Sequence, residues 1–106
     1  MAKSLVVIQM EFRKAKEQAD RLEQVARELT QLSCIQLDDT LSEINSAWKS
    51  DTSNAFIRKG RRMQEQLNIR ANEIKRTAAA IRTIANNTYK AEMQAYQIAT
   101  ERKYKG

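Results

Sequence analysis

Few of the side chains in this 106-residue chain can do chemistry, and most of those are charged: 19 Lys and Arg against 13 Asp and Glu, with one Cys, one Trp and no His. Without His, the commonest metal ligand and the usual general base near neutral pH are both missing. A single Cys excludes an internal disulfide and a cysteine metal cluster. Cys34 sits beside the apolar Ile35, and a reactive thiolate needs a neighbouring cation or base, so the residue is expected to be partly buried and inert. The sequence offers no carboxylates paired across a pocket, no glycine-rich phosphate loop and no metal-ligand spacing. It therefore assigns no catalytic residue, no cofactor and no metal, and reads as a non-enzyme. What remains is the chemistry of recognition. Arg58, Lys59, Arg61 and Arg62 form a basic cluster suited to an acidic partner, and Trp48 and Phe56 place two large rings eight residues apart.

These groups must be carried by helices. With no Pro and two Gly, nothing punctuates a sheet, and the composition predicts a single all-α domain over residues 1–106. The β-branched run Leu5-Val6-Val7-Ile8 suits an extended or frayed segment, so the first helix is expected over about 10–47. Phe12, Ala15, Ala19, Leu22, Ala26 and Leu29 recur in alternating steps of three and four, a coiled-coil seam flanked by Val25 and Leu32. Beyond Leu29 the steps to Ser33, Leu37 and Leu41 are all four before Ile44 and Trp48 resume the pattern, a stutter that unwinds a supercoil locally. Thr40 and Glu43 have capping-box spacing, which sets a kink near Asp38 to Thr40 against one continuous helix.

Between Trp48 and Thr52 the chain is expected to bend. Ser50, Asp51, Thr52 and Ser53 can each accept a hydrogen bond from the free amides of a helix first turn, and Trp48 is expected to plug the open end by packing on Phe56. A second helix follows over about 52–102. Its seam reads Phe56, Gly60, Met63, Leu67, Arg70, Ile74, Thr77, Ile81, Ile84, Thr88, Ala91, Ala95 and Ile98, with Ala71, Ala78, Ala85 and Ala99 as a flanking row. Arg70, Thr77 and Thr88 either select a register and a partner or lie at the seam's edge. The outcome is a two-helix antiparallel hairpin that forms a four-helix bundle on dimerisation, since two helices alone bury only one stripe each.

Charge is divided unevenly. Residues 1–48 carry six basic and eight acidic side chains, and residues 49–106 carry thirteen basic and five acidic. The basic cluster falls in the first turns of the second helix, where the helix dipole opposes cations, and an acidic helical partner would explain it. Nucleic acid is the competing anion, but cations spread round a helix among Ala and Gln provide no recognition element, and none is expected. No run of eighteen apolar residues spans a membrane, and the apolar side chains opposite the cations are too small for a surface-lying helix.

The segment Trp48-Lys49-Ser50, with Ala55-Phe56 after it and Gly60 four residues on, resembles the WXG, or ESAT-like, family of small type VII secretion proteins over nearly the whole chain. Here Ser50 stands where that family has Gly. The family's export pattern, Tyr followed four residues later by an acid, is not met, because Tyr89 is followed by Met93 and Tyr96 by Thr100. The resemblance implies a protein made in the cytoplasm and secreted by the type VII route without a cleaved signal peptide. It implies a helical partner, the N-terminal domain of a larger secreted LXG-type toxin, which carries the export signal. A self-pairing homodimer and a basic nucleic-acid-binding coiled coil are the alternative readings.

Overall fold

The computed structural model describes residues 3–48 and 51–105, the side chains of 104 and 105 excepted. Among these residues every element is helical: α1 is Leu5–Gln31, a π-helical segment is Leu32–Leu37, α2 is Asp38–Ala47 and α3 is Asp51–Lys105. The all-helical class expected from composition therefore holds, and the two helical arms are consistent with a hairpin.

α1 begins earlier than the β-branched run suggested. Ser4 accepts a hydrogen bond on Oγ from the Val7 amide at 3.3 Å, and its carbonyl accepts one from the Ile8 amide at 3.1 Å. A side-chain cap of this kind satisfies an orphan amide and outweighs the few tenths of a kcal/mol (about 0.5) that β-branched residues cost a helix. Ile8 is then fully buried as part of the helix.

The irregular spacing after Leu29 corresponds to the π segment. Counted along a strict heptad, Leu37, Leu41 and Ile44 each lie one residue late. A π turn absorbs one extra residue without interrupting the helical path, and the flanking Gln31 and Asp38 keep right-handed helical angles. The register change is thus taken up by a widened, underwound turn. Thr40 does not cap a helix: its hydroxyl donates back to the Gln36 carbonyl at 3.0 Å.

α2 ends where Trp48 turns extended, with φ −129° and ψ 107°, its amide donating to the Ile44 carbonyl at 2.9 Å. α3 resumes at Asp51.

The chain divides into two compact units, Met1–Arg21 with Thr77–Gly106, and Leu22–Arg76. In the first, the partners Lys3 with Glu92, Phe12 with Tyr89 and Asp20 with Arg82 run in descending order, so its two arms are antiparallel. Ile8, Ala19, Ala78 and Ala85 are buried there. The second is antiparallel too, with Ser33 against Asn68, Asp38 against Arg61 and Leu41 against Gly60. Its buried residues are Ala26, Ser33, Leu41, Ser53 and Ala71.

On α3 the buried row differs from the expected seam. Gly60, Leu67, Ile74 and Ile81 are half-buried, and the positions that alternate with them inward are Gln64, Ala71, Ala78 and Ala85. Met63, Arg70, Thr77, Ile84 and Thr88 are exposed instead, as are Ala91, Ala95 and Ile98. Steps of three and four read equally well from either side of a shared row, and the larger Met and Ile favoured the wrong side on hydrophobicity alone. Alanine wins because helix axes approach more closely over small side chains.

Candidate partner-binding surface

In the Leu22–Arg76 unit the geometry starts at a buried hydroxyl. Ser33 has no accessible surface, and its Oγ donates to Asn68 Oδ1 at 2.6 Å. Gln64 Nε2 donates to the Ser33 carbonyl at 2.7 Å, so the backbone of the widened turn is bonded from the opposite arm. The Asp38 carboxylate accepts from Arg61, and from Gln64 Nε2 at 3.4 Å. Chiefly the Arg61 hydrogen bond, and then that of Gln64, holds the Asp38 carboxyl below the usual carboxylate range. Asp38 is thus a bonded group. Cys34, expected to be partly buried, is exposed, because the buried place in this turn goes to Ser33.

Gly60 packs against the Leu41 side chain. A Cβ there would overlap Leu41 Cδ2 and stand 3.0 Å from Cδ1 and 3.2 Å from Cγ. The glycine therefore serves a close approach in the middle of a helix, two turns past the bend.

At the bend, Ile44, Trp48, Thr52, Ser53 and Phe56 line an open hollow of about 660 Å³. Trp48 is 69% exposed and Phe56 58%, so the expected plug of one ring on the other does not form. The extended backbone of Trp48 carries its ring out of the helix. Ser53, almost fully buried, takes the inward position at the start of α3, and its hydroxyl donates to the Trp48 carbonyl at 2.7 Å. Lys49 and Ser50 lie outside the described residues.

The basic cluster does not act as one group. Arg61 is tied to Asp38 and donates to Gln64 Oε1 at 3.0 Å. Arg58, Lys59 and Arg62 are exposed and make no ion pair with any described residue. α3 starts at Asp51, so these cations stand about two turns or more in, beyond the first turn where the dipole acts. Their position carries no dipole penalty, contrary to the expectation. Residues three and four apart share a helix face, and so Thr52, Phe56, Lys59 and Met63 form one row. Met63 is 59% exposed.

On the first arm, Leu22, Leu29 and Ile44 are half-buried around the buried Ala26 and Leu41. In the other unit Ala19 is buried, with Phe12 and Ala15 half-buried beside it. The rings of Phe12 and Tyr89 have centroids 4.5 Å apart, tilted by 32°. Lys3 donates to Glu11 at 2.7 Å and to Glu92 at 2.8 Å, and these bonds, Glu11 first, raise its pKa above the ordinary lysine value. Ile84, 64% exposed, and Ile98 extend the exposed heptad position of Phe56 and Met63 along α3.

Two groups of these residues escaped the sequence reading. Ser33 stood on the seam step after Leu29 with no partner assigned, and Gln64 and Asn68, polar residues one turn apart on α3, carried no apolar signal to mark them. Lys3 had none, because its partners lie 8 and 89 residues away.

Searches against family models, curated proteins and solved structures found no match to this chain. Among the described residues, no helix is long and apolar enough to cross a membrane.

Proposed function

We propose that this chain is a small helical interaction protein that pairs with another helical protein and serves a type VII secretion system, as partner or targeting subunit of a larger secreted LXG-type toxin. The observation that carries the pairing is made in each unit by itself: Phe56 and Met63, seven residues apart on α3, are exposed in the Leu22–Arg76 unit, and Ile84 and Ile98, fourteen apart, are exposed in the other. Exposed apolar side chains in register mark an interaction surface, and a heptad row suits a partner helix. Two hairpins joined in this way form a four-helix bundle. The secretion role is supported separately, by the resemblance of Trp48-Lys49-Ser50 and Phe56 to the WXG family. Since neither Tyr89 nor Tyr96 has an acid four residues on, the partner supplies the export signal.

Co-expression with neighbouring reading frames, followed by identification of the co-purifying protein, tests the proposal. A helical secreted protein in the complex is expected. Purification of the chain alone, with no partner in any such combination, would refute the heteromeric role. The second reading, a self-paired bundle, is favoured by the same exposed row, which needs only a complementary apolar face. Sedimentation with and without the partner separates the two.

A further inference from the structure

We propose that the hollow lined by Trp48 and Phe56, with Lys59 one turn beyond Phe56 on the same face of α3 and Arg62 one turn beyond Lys59, seats an acidic amphipathic helix. That helix inserts one bulky apolar side chain between the two rings and sets carboxylates against the two cations. The inference rests on the pairing reading above and adds where the partner docks and what it must look like.

Three observations meet at this end of the Leu22–Arg76 unit. The hollow at the bend is lined by Ile44, Trp48, Thr52, Ser53 and Phe56, and both rings are exposed. Phe56, Lys59 and Met63 follow one another on a single face of α3, an alternation of apolar and cationic side chains at the spacing by which one helix reads another. Lys59 and Arg62 pair with no described acid, while Arg61 between them is already held by Asp38. Charge therefore selects an acidic occupant, and the row's period selects a helix. A bilayer surface has no period to match, and stacked bases call for flat, continuous ring faces, whereas here the rings flank a cleft.

Trp48 is the only tryptophan of the chain, so its emission reports this site alone. The probe is a synthetic, tryptophan-free helical peptide of about three heptads, with Leu at the core positions, a central Phe and Glu at the flanking positions. It should shift Trp48 emission to the blue, shield the ring from acrylamide, and lose affinity as salt rises. Lys59→Glu with Arg62→Glu should weaken that binding roughly tenfold, and Phe56→Ala should abolish the shift. All three positions are exposed, so the fold is expected to survive, and far-UV circular dichroism verifies it.

No shift with the acidic peptide overturns the proposal. So does an equal shift with the peptide bearing Lys for Glu, with phosphatidylserine vesicles or with oligothymidylate. If the chain captures a helical protein on co-expression while Trp48 emission stays unchanged, this docking site is refuted and the pairing reading stands.

Discussion

Gly60 looks at first like a weakness, since glycine within a helix costs about 1 kcal/mol relative to alanine. Its contact with the buried Leu41 reverses that expectation. Gly60→Ala should gain the propensity term yet force the fully buried Leu41 side chain to shift, for a net loss of about 1 kcal/mol. Chemical denaturation measures the difference, and a more stable Ala variant would show that Leu41 repacks freely. Ser33 presents the opposite case, a polar group that must keep its partner. Ser33→Ala removes the hydroxyl that bonds Asn68 and the Thr30 carbonyl and should cost about 1 kcal/mol, whereas adding Asn68→Ala should cost less than the two single changes together. Asp38 brings in pH. Its folded pKa lies below the usual carboxylate value, so its contribution is complete above about pH 4 and disappears as pH falls toward the lowered value. Asp38→Asn should therefore melt lower than wild type at pH 7, with the gap closing in acid; a constant gap across an acid titration would mean that the Arg61 bond has little influence on stability.

At the scale of elements, the π segment makes a prediction that a regular helix would not. One residue too many for the heptad is taken up between Ser33 and Leu37, so deleting the exposed Ile35 should restore a continuous α-helix with later residues still facing inward. Deleting Val25 from α1 should instead rotate the inward residues up to the start of the π segment, Ala26, Leu29 and Ser33, by about 100° and lower the melting temperature much further. Thermal melts of the two deletions decide it, and equal losses would count against the π turn as the absorber. The sequence already contained much of this. Alternating steps from Phe12 to Leu29 and the late Leu37, Leu41 and Ile44 were visible as spacing, because burial on α1 and α2 falls to residues with few apolar rivals. α3 was harder to read, because apolar side chains lie on both sides of the row that holds Gly60, Leu67, Ile74 and Ile81. Hydrophobicity then ranks Met63 and Ile84 above Ala71 and Ala85, although small side chains are the ones that fit the contact. The break between α2 and α3 was legible from the small polar residues near it, of which Asp51, Thr52 and Ser53 are described. The outward rings were not, since they depend on the extended backbone at Trp48 and on Ser53 reaching back to its carbonyl.

For the molecule as a whole, the net charge of +6 and its concentration after residue 48 govern how copies meet. Like-charged second arms repel at low ionic strength, and screening within roughly 8 Å at physiological salt relieves this. Self-association should therefore strengthen as salt rises, while association with an acidic partner weakens; analytical ultracentrifugation at two salt concentrations reads both. Arg58→Gln, Lys59→Gln and Arg62→Gln together should remove much of the salt dependence of self-association. Arg61 is left intact in that variant because it holds Asp38. A homodimer that is tight and indifferent to salt would refute this balance.

The buried alanines have a genetic consequence. Ala71, Ala78 and Ala85 are seven residues apart on α3, as Ala19 and Ala26 are on α1, and each is almost wholly enclosed. A saturation scan read by a folding reporter should show intolerance recurring every seventh codon along both arms, where only Gly or Ser replaces Ala without harm. The neighbouring row through Met63 and Ile84 should drift freely in that assay and become constrained only when binding is selected. Two superimposed rows, one fixed by folding and the other by the partner, would then be separable from growth counts alone.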